Sequence, residues 1–138
     1  MKDPQNFPTR TAAGNLLAVP EPADEEIFDV LLSAPGVRIE RIVSNGQASP
    51  PGFWYDQDWA EWVLVVTGSA EILIEGEPAP RGLVAGDHLF LPAGCRHRVE
   101  STAHGTPTVW LAVHLQPPRH PSSGAPPAAG SGAASRSS

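Results

Sequence analysis

The run Gly86 to His97, GDHLFLPAGCRH, concentrates the residue types that do chemistry in this chain. Gly86 and Asp87 make a turn, the next residues cross one strand, Pro92-Ala93-Gly94 turns the chain back, and His97 starts another strand. Upstream, Glu61 opens EWVLVVTG and is separated from Gly68 by six residues. Side chains alternate along a strand, so Glu61, Val63 and Val65 share one face, as do His97, Val99 and Ser101. A carboxylate or an imidazole on an otherwise apolar face needs a partner. Cys95 invites a nucleophile or redox reading, because Arg96 and Arg98 would lower its pKa if the thiol is exposed; packing in a tight turn is the simpler role. His88 alternates with Leu89 and is a candidate acid, base or ligand, though a structural or exposed place suits it better. His104 falls in a turn, His120 in the tail, and His114, on the last strand near the pocket mouth, is not taken as a site residue.

The elements that position these residues read as short strands. VRIERIVS, WVLVVT, AEILIEGE, DHLFLP, HRVEST and TPTVWLAVHL recur at spacings near ten residues and are joined by turns such as GEPAPRG, the pattern of a β-sandwich or small jelly-roll barrel. One helix is expected ahead of them in PADEEIFDVLLSAPG. Asp24 caps it, Glu25 and Glu26 favour its first turn, Ile27, Val30 and Leu31 share a face, and Pro35-Gly36 stops it. Trp62, Leu64 and Val66 form an apolar face opposite Glu61 that the second sheet, the N-terminal segment or another subunit must cover.

Composition bounds the reading. The chain has 138 residues, 9 Lys and Arg against 15 Asp and Glu, and one cysteine. One domain is expected, and a disulfide framework or a Cys/His zinc cluster is excluded. No run approaches a membrane span and the N-terminus lacks an apolar leader core, so a cytoplasmic protein without a membrane partner is expected. With a single Lys and a net charge of −6, nucleic acid is not an expected partner. Residues 116–138 are almost all Pro, Ser, Gly and Ala and read as a disordered tail, residues 1–14 as an N-terminal extension, and 15–115 as the domain.

The spacing G-x5-P-x-G-x2-H from Gly86 to His97 resembles the second motif of the cupin superfamily, and E-x6-G from Glu61 to Gly68 resembles the second half of its first motif. The resemblance runs from about Arg38 to Leu115. It implies an all-β jelly-roll barrel of six to eight strands in which Glu61 and His97 project inward onto a divalent metal. Family members usually carry His-x-His three or four residues before the Glu; here the segment reads GFWYDQDWAE. A three-residue spacing puts Tyr55 and Gln57 in those places, a four-residue spacing Trp54 and Asp56. Tyr55 and Gln57 are taken as the inward pair because they share a face, with Asp56 as the alternative ligand. The implied metal set is thus Tyr55, Gln57, Glu61 and His97, with Fe, Mn, Ni and Zn all open. Phe53, Trp54 and Asp56 are expected to line a substrate pocket. The resemblance implies a homodimer and one of two functions: a metal-dependent dioxygenase or isomerase acting on a small polar molecule, or a non-catalytic small-ligand binding or sensing module.

Overall fold

The computed structural model describes residues 6–118; the expected tail lies, after Pro118, outside the described residues. Eight strands follow in order: β1 (Ile27–Ala34), β2 (Val37–Ser44), β3 (Ala60–Thr67), β4 (Ser69–Ile74), β5 (Arg81–Val84), β6 (His88–Leu91), β7 (His97–Thr102) and β8 (Thr108–Leu115). They form two antiparallel sheets, one ordered β1-β2-β8-β3-β6 and the other β5-β4-β7. This two-sheet, all-β arrangement agrees with a cupin jelly roll. Ile42, Val63, Val65, Trp110 and Ala112 of the first sheet close the core against Ala70, Ile72 and Leu83 of the second.

The expected helix is absent: no described residue is helical, and Ile27–Ala34 is strand β1. Two features make its sequence look helical. A bulge between Val30 and Leu32 breaks the period of two and leaves the consecutive Val30 and Leu31 both exposed, at 54% and 47%, which imitates a helical spacing. Pro35-Gly36 is not a helix stop but a hairpin turn. Ala34 pairs with Val37 across it, and Gly36 has φ +77°, the positive value that the residue after proline takes in a type II turn. The pairing with β2, from Ile27↔Val43 to Ala34↔Val37, satisfies the backbone that a helix would have satisfied internally. The short strand β5 likewise occupies the end of a run expected to be a turn.

A second bulge corrects the expected face of β7. Glu71 pairs with Ser101 but Ile72 with Val99, so Glu100 is the extra residue and the alternation slips by one. His97 and Val99 face the interior, whereas Ser101 donates a hydrogen bond to the exposed Glu71 carboxylate at 3.2 Å. On the outer face of the first sheet, Trp62 stacks on the exposed His88 at 5.6 Å. The N-terminal segment is strapped over the same face by Arg41, which donates to the Leu16 and Ala18 carbonyls and pairs with Asp29 at 2.7 Å.

Gly68 is the corner at which the chain leaves the first sheet for the second. Its φ is +86°, and a Cβ there would stand 2.4 Å from Thr108 Oγ1 and 2.6 Å from Thr108 Cα. Gly36 has a similar φ but open space around it. Gly68→Ala is therefore expected to cost about 2–4 kcal/mol and Gly36→Ala about 1 kcal/mol, measured by urea denaturation; equal costs would show that crowding at Thr108 does not constrain this corner.

Candidate functional site

The strand register decides which polar side chains enter the barrel. On β8 the residues Thr108, Trp110, Ala112 and His114 alternate inward; opposite them stand Ser44, Ile42, Glu40 and Arg38 of β2, and Val65, Val63 and Glu61 face Trp110, Ala112 and His114 from β3. Residues directly opposite in an antiparallel pair share a face. Glu40, Glu61 and His114 therefore stand on one inner wall.

His97 enters from the opposite sheet at the start of β7, where Pro92-Ala93-Gly94 delivers it. Tyr55 joins it through an isolated bridge: Tyr55 N–H donates to the His97 carbonyl at 2.7 Å and His97 N–H to the Tyr55 carbonyl at 3.1 Å. That bridge puts both side chains on one face, and their rings stack at 5.3 Å with a 22° interplanar angle. The Cys95 carbonyl lies 2.9 Å from His97 Nδ1. A carbonyl only accepts, so Nδ1 carries the proton and Nε2 is the atom turned to the interior. Nε2 stands 3.9 Å from Glu61 Oε1, too far for a direct hydrogen bond and near enough for one small group to touch both.

These side chains line a partly open pocket with an inner space of about 30 Å³ and about 400 Å³ of empty space once the solvent at its mouth is included. Its polar lining is Glu26, Tyr55, Glu61 and His97; the remaining seven residues are apolar, among them Phe28, Val63, Leu91 and Trp110. Of the residues expected at the site, Tyr55, Glu61 and His97 line this cavity. Gln57 is buried nearby, its carbonyl accepting from Gly94 N–H at 2.8 Å, but is not part of the lining. Phe53, Trp54 and Asp56 are not part of it either. Phe53 packs edge-on against Tyr55 at 4.8 Å, and Trp54 lies under the Arg96 guanidinium at 5.4 Å.

A catalytic divalent metal is generally held by three protein ligands plus an open position. The cavity offers the carboxylates of Glu26 and Glu61, one imidazole and one phenol, but among the described residues no three His, Cys, Asp or Glu side chains come together in a way that could hold an ion. The donor set does not fit a resident Fe, Mn, Ni or Zn.

Two features were invisible in sequence. His114 and Glu40, each 1% exposed, meet at 3.1 Å between Nε2 and Oε1, and Arg38 Nε adds a 3.3 Å contact to Glu40 Oε2. Glu26, expected in a helix, instead lines the cavity, accepting from Ser44 Oγ–H at 2.5 Å while Trp110 Nε1–H donates to Ser44 Oγ at 3.1 Å. The only usable signal was chemical type, since Glu40 sits mid-strand among alternating apolar residues.

The condition for a lowered Cys95 pKa, an exposed thiol beside free arginines, is not met. Arg96 pairs with Glu75 and Arg98 with Glu100; partial burial, then the charges of Glu77 and Glu75, push the Cys95 thiol above its ordinary range.

Two predictions follow from these pairs. His114→Leu or Glu40→Leu, each leaving a buried partner behind, is expected to cost about 3 kcal/mol in urea denaturation, and the double Leu variant less than the sum; strict additivity would show that the two side chains do not act as a pair. Iodoacetamide should alkylate Cys95 more slowly than free cysteine at pH 8, with the rate still climbing above the usual thiol pKa; labelling at or above the free-cysteine rate at pH 7 would contradict the raised thiol.

Comparison with known proteins agrees with this architecture. Residues 41–114 match the model of the cupin domain family. A structure from Ralstonia eutropha JMP134, provisionally named a mannose-6-phosphate isomerase, is 59% identical, covering 78% of this chain and 100% of its own, with a TM-score of 0.76. A cupin superfamily protein from Desulfitobacterium hafniense DCB-2 is 17% identical over 82% of this chain and 97% of its own (TM-score 0.62), and shows likeness of fold alone. The DMSP lyase of Ruegeria pomeroyi DSS-3 is 25% identical over 67% of this chain but only 47% of its own, with a TM-score of 0.55. The comparison with curated proteins gives no match. The two motifs, the eight-strand double sheet and the family match together make this chain a member of the cupin family.

Proposed function

We propose that this chain is a small-molecule isomerase of the cupin family that moves a proton between adjacent carbons of a hydroxy-carbonyl ligand, using Glu61 and His97. The observation that carries this reading is the 3.9 Å separation of Glu61 Oε1 and His97 Nε2 in the wall of a mainly apolar cavity, with the imidazole's other nitrogen committed to the Cys95 carbonyl. The relative from Ralstonia eutropha named for an isomerase supports the reaction class.

Enolisation needs a base at the carbon beside a carbonyl and a proton donor at the carbonyl oxygen. Glu61 Oε1 takes the proton from carbon, and protonated His97 gives its Nε2 proton to the carbonyl oxygen, forming the enediol. Return of the carbon-bound proton to the neighbouring carbon, with a hydroxyl proton passing back to Nε2, completes the isomerisation and restores both side chains. Tyr55 keeps the imidazole plane in place by stacking, and the apolar walls keep bulk water from the pair. A second reading, non-catalytic ligand binding, is favoured by the lack of a His-x-His pair ahead of Glu61.

Small hydroxy-carbonyl compounds incubated with the protein in D2O should acquire deuterium at the carbon beside the carbonyl, followed by proton NMR. Glu61→Gln and His97→Asn should each slow this about 10²–10⁴-fold. Ligand binding without exchange would transfer the assignment to the non-catalytic reading. Stoichiometric metal in purified protein, lost in both variants, would replace the proton-transfer mechanism with the metal-dependent one.

A further inference from the structure

We infer that the barrel pocket selects small neutral or cationic ligands against phosphorylated and other anionic ones, and that Glu26 is the residue that reads the ligand's outer end. This selectivity presupposes the ligand-binding reading of the pocket made above and adds the charge class of what enters it.

The pocket has carboxylates toward both ends, and among the described residues the one lining group able to carry positive charge is His97, which already faces Glu61 at 3.9 Å. Glu61 pairs in register with His114, while Ser44, whose hydroxyl holds Glu26, pairs with Thr108 six residues away on β8. The two carboxylates thus approach the cavity from different ends of the sheet, with Val63, Ile42 and Trp110 between them. The Trp110-to-Ser44-to-Glu26 chain of hydrogen bonds orients the carboxylate: Ser44 spends its one proton on Glu26 Oε2 and accepts the indole N–H in return. A side chain held this way is pre-organised to accept from a hydroxyl or to pair with an ammonium group.

Phosphate esters are bound by Arg or Lys, by helix N-termini or by nests of backbone N–H groups. No Lys or Arg lines the pocket, and among the described residues there is no helix. The barrel's arginines are engaged elsewhere with acids: Arg38 with Glu40, Arg41 with Asp29, Arg81 with Glu77, Arg96 with Glu75 and Arg98 with Glu100. A net charge of −6 on the chain adds a field that repels anions at a distance. The name carried by the Ralstonia relative points to a phosphorylated sugar; the lining of this pocket points away from one.

Isothermal titration at low salt with two matched pairs of probes, D-mannose against D-mannose 6-phosphate and ethanolamine against O-phosphoethanolamine, tests the charge class directly. In at least one pair the unphosphorylated member should bind about tenfold or more tightly than its ester. Glu26→Gln should weaken ethanolamine binding about five- to tenfold, and Glu26→Lys should reverse the preference within that pair, with circular dichroism confirming that both variants fold. Esters that bind as well as their partners in both pairs, a preference untouched by Glu26→Gln, or no binding by any of the four probes would overturn the inference. Glu61→Gln and His97→Asn separate the two levels. Binding that neither variant affects removes the pocket assignment itself, whereas binding that both weaken but that favours the ester removes only the selectivity.

Discussion

Two carboxylates and two imidazoles, Glu40, Glu61, His97 and His114, are buried in a sandwich otherwise filled by Val, Ile, Leu, Ala and Trp, and their need for partners constrains much of the rest. An ionisable group taken out of water unpaired costs several kcal/mol. The register of β2, β8 and β3 must therefore bring Glu40 to His114 and hold Glu61 facing the opposite sheet. A slip of one residue in either pairing would turn the slipped strand's buried polar group to the outer face together with that strand's core residues. Hydrophobic burial and polar pairing select the same register, which is why the inner wall can carry charge without losing its fold.

His97 shows how the second sheet meets that requirement. Its backbone stands opposite Ile74 of β4 on one side and bridges to Tyr55 on the other, its Nδ1 is held by the Cys95 carbonyl, and its ring is covered by Tyr55. Three short-range devices, a Pro-Ala-Gly turn, a single bridge and a local hydrogen bond, fix an imidazole across from a carboxylate that belongs to another sheet. The bulge at Glu100 has the complementary effect, turning Ser101 toward the exposed Glu71, so that of β7 only His97 and Val99 line the cavity. The lack of a His-x-His pair is matched by a cavity in which Glu61, His97 and Tyr55 stand at one end and the second carboxylate, Glu26, comes from the other, so that among the described residues no three metal-binding side chains converge.

Strands β2, β3, β4, β6, β7 and β8 were legible because their apolar residues alternate or run continuously between glycine and proline turns, and Glu61 and His97 were legible because motif spacing places each at a strand start. Strand β1 was not. Its bulge puts Val30 and Leu31 side by side on the outside, and a period-of-two strand with one inserted residue resembles a period near 3.6 over so short a span. Ser101 was misplaced for the same reason. Choosing Tyr55 and Gln57 over Trp54 and Asp56 rested on a shared face; the Tyr55–His97 bridge supplies a physical cause for the orientation of Tyr55 that no spacing contains.

What the sequence by itself determined is the set of elements whose information is local: turn residues, alternation along a strand, and two motifs that put an acid and a histidine at strand beginnings. Only the tertiary structure decided which groups meet. Glu40 and His114 are 74 residues apart, Ser44 and Glu26 are 18 apart, and Trp110 and Ser44 are 66 apart. Those contacts arise from strand order and register across two sheets. Side-chain identity is written in the chain, but partnership among buried charges is a property of the pairing that closes the barrel, because antiparallel neighbours are set by topology and not by distance along the sequence.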